Sequence, residues 1–365
     1  MESRAIHTLA LAPMVKTRLH IAGYKTIGDV WKATRSQLCK DTGLAIEEVE
    51  SVWQVIENVG KNLVFHTGND LLQKEDNRIA IMTFSERLDT ALGGGVQGGT
   101  VTEICGLPGT GKTQLCMQLA CDVQIPRCLG GQGAEALYID TQGGLVMERL
   151  TEVVSATVAH CRQIAIQDEH PEMSLKLSSL SIETMLAGVH VHRCTSHLQL
   201  LAIIEQLQAF LKANRKVRLV IIDSVSFHFR HDFEDLSLRT RILTNSAQTL
   251  HKIARSFDIP VVVTNQMTTR VHQGPGQKGS SVVPCLGESW GHACGTRLLL
   301  QWNMGTRQAF LLKSPSLKSC VVPFLVTKDG IRDHVPSIDT VGLESAVDAT
   351  VPNTLESPFK RQKLT

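Results

Sequence analysis

The octapeptide Gly106-Leu107-Pro108-Gly109-Thr110-Gly111-Lys112-Thr113 fits G-x-x-x-x-G-K-[ST], and it lies between an apolar run, 101–106, and a helical pattern, 113–123. Few folds satisfy that combination. Glycines at fixed places let several backbone N–H groups turn toward one anion, and the helix behind them adds the positive end of its dipole. Gly106, Gly109, Thr110, Gly111, Lys112 and Thr113 are therefore predicted to cradle the phosphates of a nucleotide. Lys112 reaches the β- and γ-phosphates, and the Thr113 hydroxyl ligates Mg2+. A second apolar run, Leu219-Val220-Ile221-Ile222-Asp223, ends in an acid. A buried parallel strand that ends this way sets Asp223 beside the phosphate loop, where a carboxylate holds magnesium through water. ATP and Mg2+ are the cofactors implied.

Further short apolar runs at 136–140, 189–194, 260–266 and 295–302 alternate with helical stretches at 197–213 and 237–257. This is the pattern of an α/β fold with a mainly parallel sheet. Ahead of it, 13–58 reads as a module of about four helices, with Thr26 and Ser36 as N-caps and Ile21, Trp31 and Trp53 on the apolar face. The division expected is a helical domain at 1–58, a linker at 59–80, an ATPase core at 81–335 and a disordered tail at 336–365.

The run ALYID, 136–140, is followed by Thr141-Gln142-Gly143-Gly144. If this strand pairs between 101–106 and 217–223, it ends near the γ-phosphate, and Gln142 occupies the place of the group that activates water. An amide orients water but accepts no proton at neutral pH. Tight ATP binding with slow turnover is the expected result.

The 37 basic and 35 acidic side chains leave a net charge of +2, so any nucleic-acid binding must come from local basic segments. Ten cysteines without a C-x-x-C pair read as reduced thiols of an intracellular protein. No stretch approaches the roughly 20 apolar residues of a membrane helix.

Four longer stretches, TEICGLPGTGKTQLCMQLA (102–120), DVQIP (122–126), FRHDFEDLSLRTRIL (229–243) and LGESWGHA (286–293), resemble RecA-family recombinases. Within that family they are most similar to the C-lettered branch of the eukaryotic Rad-fifty-one-type paralogues. The resemblance spans roughly 10–335 and implies a RecA-like P-loop core behind a helix-hairpin-helix-like domain. It implies homologous-recombination repair of double-strand breaks, in which the protein joins other paralogues to load or stabilise the main recombinase filament on single-stranded or branched DNA. It also places Arg149 against adenine and Gln266 at the γ-phosphate, and marks Gln142 as a departure from a catalytic glutamate. A slow, DNA-stimulated ATPase follows from that departure.

Two segments correspond to the family's DNA-contacting loops. The first, 228–241, carries Arg230, Arg239 and Arg241 among acids; the second, 267–284, carries Arg270 and Lys278 among Gly and Ser and reads as mobile. The turn Thr42-Gly43-Leu44, with Lys40 as nearest cation, is the module's candidate backbone contact. The family's aromatic-x-x-alanine hook is missing, since Phe65 precedes His66, Thr67 and Gly68, which favours a defined hetero-oligomer over self-polymerisation. Lys360, Arg361 and Lys363 fit a nuclear-import signal, giving a nuclear protein with a cytoplasmic pool. Two rival readings are a pseudo-ATPase scaffold in which ATP only stabilises interfaces, and a P-loop small-molecule kinase.

Overall fold

Capping side chains mark off the first helices, Pro13–Ile21, Ile27–Lys32, Arg35–Thr42 and Ile46–Lys61. The Thr26 hydroxyl accepts from Asp29 N while the Asp29 carboxylate takes the Thr26 N–H, a complete capping box. Thr34, not Ser36, caps the next helix, because its hydroxyl is the one that reaches Gln37 N. Gly43 then ends that helix at φ 64°, in the left-handed region. Leu19, Ile27, Val30, Leu38, Val52 and Ile56 close into a core of their own. Ile21 and Trp31 stay outside it, at 79% and 38% exposure. In so short a helix Ile27 and Val30 take the buried face, and Trp31, about 100° further round, falls at its rim. A further helix, Gly68–Asp76, lies within the stretch read as a linker. The computed structural model describes residues 4–61, 67–76, 78–167, 180–230, 233, 235–274 and 277–334, and the chain divides into two compact units, 1–77 and 78–365.

The second unit is built on nine strands: β1 (Val101–Gly106), β2 (Glu135–Asp140), β3 (Val189–Arg193), β4 (Val217–Asp223), β5 (Val261–Asn265), β8 (Thr296–Asn303), β9 (Thr306–Lys313), β10 (Val321–Thr327) and β11 (Gly330–Asp333). Their order is β11-β10-β9-β8-β1-β5-β4-β2-β3, while β6 (Met267–Gly274) and β7 (Gln277–Pro284) pair apart from them. From β8 to β3 every pairing is parallel, and β9, β10 and β11 continue the sheet antiparallel. The order corrects the expected placement of β2: β5 sits between β1 and β4, and β2 lies beyond β4.

Alternation along the central strands feeds two cores. Ile104, Tyr138, Ile221 and Val262 meet Leu115, Leu119, Leu150 and Val153 of helices Lys112–Asp122 and Met147–Gln167 on one face. Ile139, Val220, Ile222 and Val263 meet Leu200, Ile204 and Leu250 of His197–Ala213 and Leu236–Phe257 on the other. Both faces being covered explains why these strands read as unbroken apolar runs. The segment 267–284, expected to be mobile, is an antiparallel hairpin in register from Met267↔Pro284 to Gly274↔Gln277. Two adjacent cross-strand pairs of β-branched residues, Thr269 opposite Val282 and Thr268 opposite Val283, supply the β-propensity that its glycines and serines concealed.

The antiparallel edge is tied to the start of this unit by one carboxylate, Asp333, and a second, Asp89, braces that start internally. Asp333 accepts from Ser85 Oγ at 2.6 Å and from Glu86 N at 2.9 Å, while Asp89 accepts from Thr83 N and Thr83 Oγ1, both at 2.8 Å. Burial, opposed by the Thr83 hydrogen bonds and aided by the nearby Asp333 charge, pushes Asp89 up to about 6. A raised folded-state value favours the fold below the unfolded value and loses that benefit as pH rises through the folded one. Stability should therefore increase on acidification from about pH 6 toward pH 4 through this group. Asp89→Asn keeps an acceptor for Thr83 and should stabilise the protein at pH 7.5 by about 1–2 kcal/mol, flattening that segment of the pH profile. Denaturant melts of both proteins across pH 4–8 test this, and an unstabilised Asn variant at pH 7.5 would refute it.

Candidate nucleotide site

β1 ends at a loop whose backbone only glycine allows. Gly109 and Gly111 have φ of 77° and 108°, and a Cβ at Gly106 would lie 2.4 Å from Leu300 O and 2.7 Å from Thr110 Oγ1. The loop thus leaves β1 hard against β8 and bends into the helix that begins at Lys112. The Lys112 ammonium folds back over it, donating to Gly106 O at 2.8 Å and Leu107 O at 2.9 Å. Burial lowers the pKa of Lys112, and the Asp223 charge works against that shift. A triphosphate fits this loop: the positive-φ glycines let backbone N–H groups turn toward an anion, and Lys112 lies over them as a part-buried cation.

Asp223, at the end of β4, takes three hydroxyls: Thr113 Oγ1 at 2.7 Å, Tyr138 OH at 2.8 Å and Thr264 Oγ1 at 2.5 Å. The carboxylate is thereby aimed at the first turn of the phosphate-loop helix. No cluster of three or more His, Cys, Asp or Glu side chains suited to a metal occurs among the described residues. A magnesium ion fits here on Thr113 and Asp223 with phosphate oxygens and water completing its shell, the usual economy of protein ligands for this ion. Sequence reasoning found Asp223 but missed Tyr138 and Thr264. Their signal was a hydroxyl inside an otherwise apolar buried strand, which must find an acceptor.

Gln142 reaches the same place by a turn that Asp140 builds. One Asp140 oxygen accepts from the N–H groups of Gln142, Gly143 and Gly144 at 3.1, 2.8 and 3.2 Å, and the other from Leu145 N at 3.3 Å. Thr141 and Ser224 exchange two hydrogen bonds of 2.8 Å, locking the ends of β2 and β4 together. Gln142 Nε2 then donates to Ser224 Oγ at 2.5 Å, and its Oε1 accepts from Gln266 Nε2 at 3.3 Å. Gln266 Oε1 in turn accepts from Arg230 at 2.5 Å. Gln142, Gln266 and Arg230 therefore form one polar chain across the ends of β4, β2 and β5, although β2 is not flanked as expected. The Asp223–Ser224 peptide beneath it is cis.

Arg149 is held at every guanidinium nitrogen. It donates to Gln114 Oε1 at 2.7 Å and, at 2.6 Å each, to Glu152 Oε2, Lys328 O and Thr327 O. The guanidinium is thus fixed between the phosphate-loop helix and the β10–β11 turn. Arg239 and Arg241 are not in a loop: Asp235 caps the helix Leu236–Phe257, and both lie in its first two turns. Arg239 Nε is buried without a hydrogen-bond partner, whereas Arg241 is exposed. Arg270 on β6 is paired with exposed Glu288 at 3.0 Å, which offsets part of the hairpin's positive charge. Lys278 lies in β7, and Lys360, Arg361 and Lys363 lie outside the described residues. In the first unit Arg18, not Lys40, is the cation on the Thr42–Leu44 turn, donating to Gly43 O at 2.8 Å. All ten cysteines are free thiols, and no helix among the described residues is long and apolar enough to cross a membrane.

Comparison with known proteins agrees with this geometry. The chain matches the Rad51 family model over residues 74–163 and 175–334. It is 39% identical over 344 residues to a protein named DNA repair protein RAD51 homolog 3 from Cricetulus griseus, covering 90% of this chain and 92% of that one. A protein of the same name from Dictyostelium discoideum is 40% identical over 273 residues, 74% of this chain and 70% of its own. DNA repair and recombination protein RadA of Aeropyrum pernix is 31% identical over 327 residues, 88% of this chain and 94% of its own. With the phosphate loop, the acid-ended β4 and the amide at the end of β5 all in one site, and a family match across most of the sequence, the chain belongs to the Rad51 family.

Proposed function

We propose that this protein is an ATP-binding recombinase paralogue of homologous-recombination repair, one that binds MgATP firmly and hydrolyses it slowly. The observation that carries this reading is the polar chain Ser224–Gln142–Gln266–Arg230: the site positions an amide, not a carboxylate, at the end of β2. Lys112, Thr113 and Asp223 supply phosphate and magnesium binding, and Arg149 presents its guanidinium to the adenine. Bound magnesium supplies charge neutralisation for the phosphates. The residues around it orient a water through Gln142 and report on the phosphate through Gln266.

Its role is to join other paralogues and to load or stabilise the main recombinase on single-stranded or branched DNA. The missing aromatic-x-x-alanine hook supports a defined hetero-oligomer. The first unit acts as a helix-hairpin-helix-like module, its Gly43 turn and Arg18 facing a partner or a DNA backbone. A scaffold in which ATP only stabilises interfaces is the second reading, favoured by the engaged Gln142 amide. DNA binding separates the two. Neutralising Arg270 and Lys278 should weaken single-strand binding and flatten its salt dependence, because fewer counterions are released. Glu288→Gln, which frees Arg270 from its exposed partner, should act in the opposite direction. Affinity and salt slope that ignore all three changes would favour the scaffold.

Lys360, Arg361 and Lys363 are proposed to carry the protein into the nucleus, with a cytoplasmic pool remaining. Alanine at all three should leave a full-length fluorescent fusion cytoplasmic. Nuclear fluorescence equal to wild type removes the signal from this cluster.

A further inference from the structure

Glu103 lies in the middle of β1 with no solvent exposure, where an unpaired charge is costly. Its partners come from three later elements. Asn265 Nδ2, on the last residue of β5, donates to Oε1 at 2.7 Å, and Trp290 Nε1 donates to the same oxygen at 3.2 Å. Arg297 Nε, on β8, donates to Oε2. Gly291 makes the arrangement possible, since a Cβ there would lie 2.4 Å from an Arg297 guanidinium nitrogen.

These partners bracket the hairpin β6–β7. It starts two residues after Asn265, and Cys285 N closes its base by donating to Gln266 O at 2.8 Å. The helix Gly287–Ala293, which carries Trp290, follows directly. The far end of that helix is held by Lys313 Nζ, which donates to Gly291 O, His292 O and Cys294 O at 3.2, 3.0 and 2.6 Å. Gln266 thus has a fixed residue on one side and the hairpin on the other. A buried ion pair adds little net stability compared with apolar packing, so stability alone is a weak reason for Glu103 to stand here.

We propose that Glu103 is a positioning residue: by holding Asn265 and Trp290 at the two roots of the hairpin, it makes a displacement of Gln266 pass into β6–β7 instead of being absorbed along β5. The proposal rests on Gln266 responding to bound nucleotide, as in the function proposed above. Asn265→Ala and Trp290→Phe each remove one donor to Glu103 and leave its ion pair with Arg297 in place. Asn265→Ala also removes an Oδ1 that is buried without a partner among the described residues, which offsets part of the lost hydrogen bond to Glu103.

The test is amide hydrogen exchange over residues 267–284 of the full chain, with and without MgATP, alongside direct ATP titration. Both variants should bind ATP with wild-type affinity, while the nucleotide-induced change in exchange shrinks by about threefold or more, within the range for residues on a coupled network. A wild-type-sized response in both variants overturns the proposal alone. A wild-type protein that binds ATP with no change in the hairpin overturns the proposal together with the sensing role of Gln266.

Discussion

Gln142→Glu should hydrolyse ATP about 10² to 10⁴ times faster than the wild-type protein in a single turnover, the usual worth of a general base. The structure makes the substitution easy to accept. Gln142 already accepts from Gln266 Nε2 through Oε1, which a carboxylate oxygen does equally well. Its Nε2 donates to Ser224 Oγ, and a hydroxyl can reverse that bond and donate to a carboxylate instead. The turn that carries residue 142 is built by Asp140 and by backbone N–H groups, so it does not depend on the side chain being exchanged. What changes is therefore proton affinity at a fixed place. Single-turnover measurement with DNA and partners present is the right readout, because slow product release can hide a faster chemical step. ATP-dependent complexes of the variant should also be shorter-lived. Equal single-turnover rates would show that the limit on turnover lies away from residue 142.

Much of this site was legible in the sequence, because its signals are local. A phosphate loop is a continuous string, and the acid that ends β4 follows an unbroken apolar run. Strand order is not local. Nothing in ALYID distinguishes a strand between β1 and β4 from one outside β4, since both are buried on two faces and read alike. Gln142 still arrives at the ends of β4 and β5, because Asp140 turns the chain back and Thr141 pins it to Ser224. Half-buried elements were the hardest to see. β9, β10 and β11 alternate only weakly, with patterns broken by part-exposed residues, and the hairpin β6–β7 is masked by glycine and serine. Arg239 shows the same limit from the other side: the helical stretch at 237–257 and the DNA-contacting loop at 228–241 both claim it in the sequence, and the Asp235 cap puts it in the helix.

Lys112→Ala should weaken ATP binding at least tenfold, a loss of about 1.4 kcal/mol, while leaving the unliganded fold as stable as wild type or more so. The two effects have one cause. The Lys112 ammonium is part-buried, and burial lowers its pKa, with the Asp223 charge opposing the shift. Among the described residues its hydrogen bonds go to Gly106 O and Leu107 O, carbonyls of the loop it covers. The unliganded protein thus holds a cation at some cost in solvation, and alanine relieves that cost. A triphosphate recovers it by accepting the ammonium's charge-assisted bonds, and alanine forfeits that gain. Since a ligand stabilises the fold by an amount that grows with the logarithm of its affinity, the rise in melting temperature on adding MgATP should shrink in the variant even where the unliganded melting temperatures agree. Sign follows for pH as well: only the ammonium form binds phosphate, and its lowered pKa means that wild-type affinity should decline at a less alkaline pH than an ordinary lysine would give, a decline absent from Lys112→Ala. Titration calorimetry of both proteins across alkaline pH reads the affinities, and thermal melts with and without MgATP read the stabilities. Unchanged ATP affinity in Lys112→Ala would remove the phosphate loop from the nucleotide site, and an unliganded variant that melts well below wild type would mean that Lys112 mainly braces its own loop.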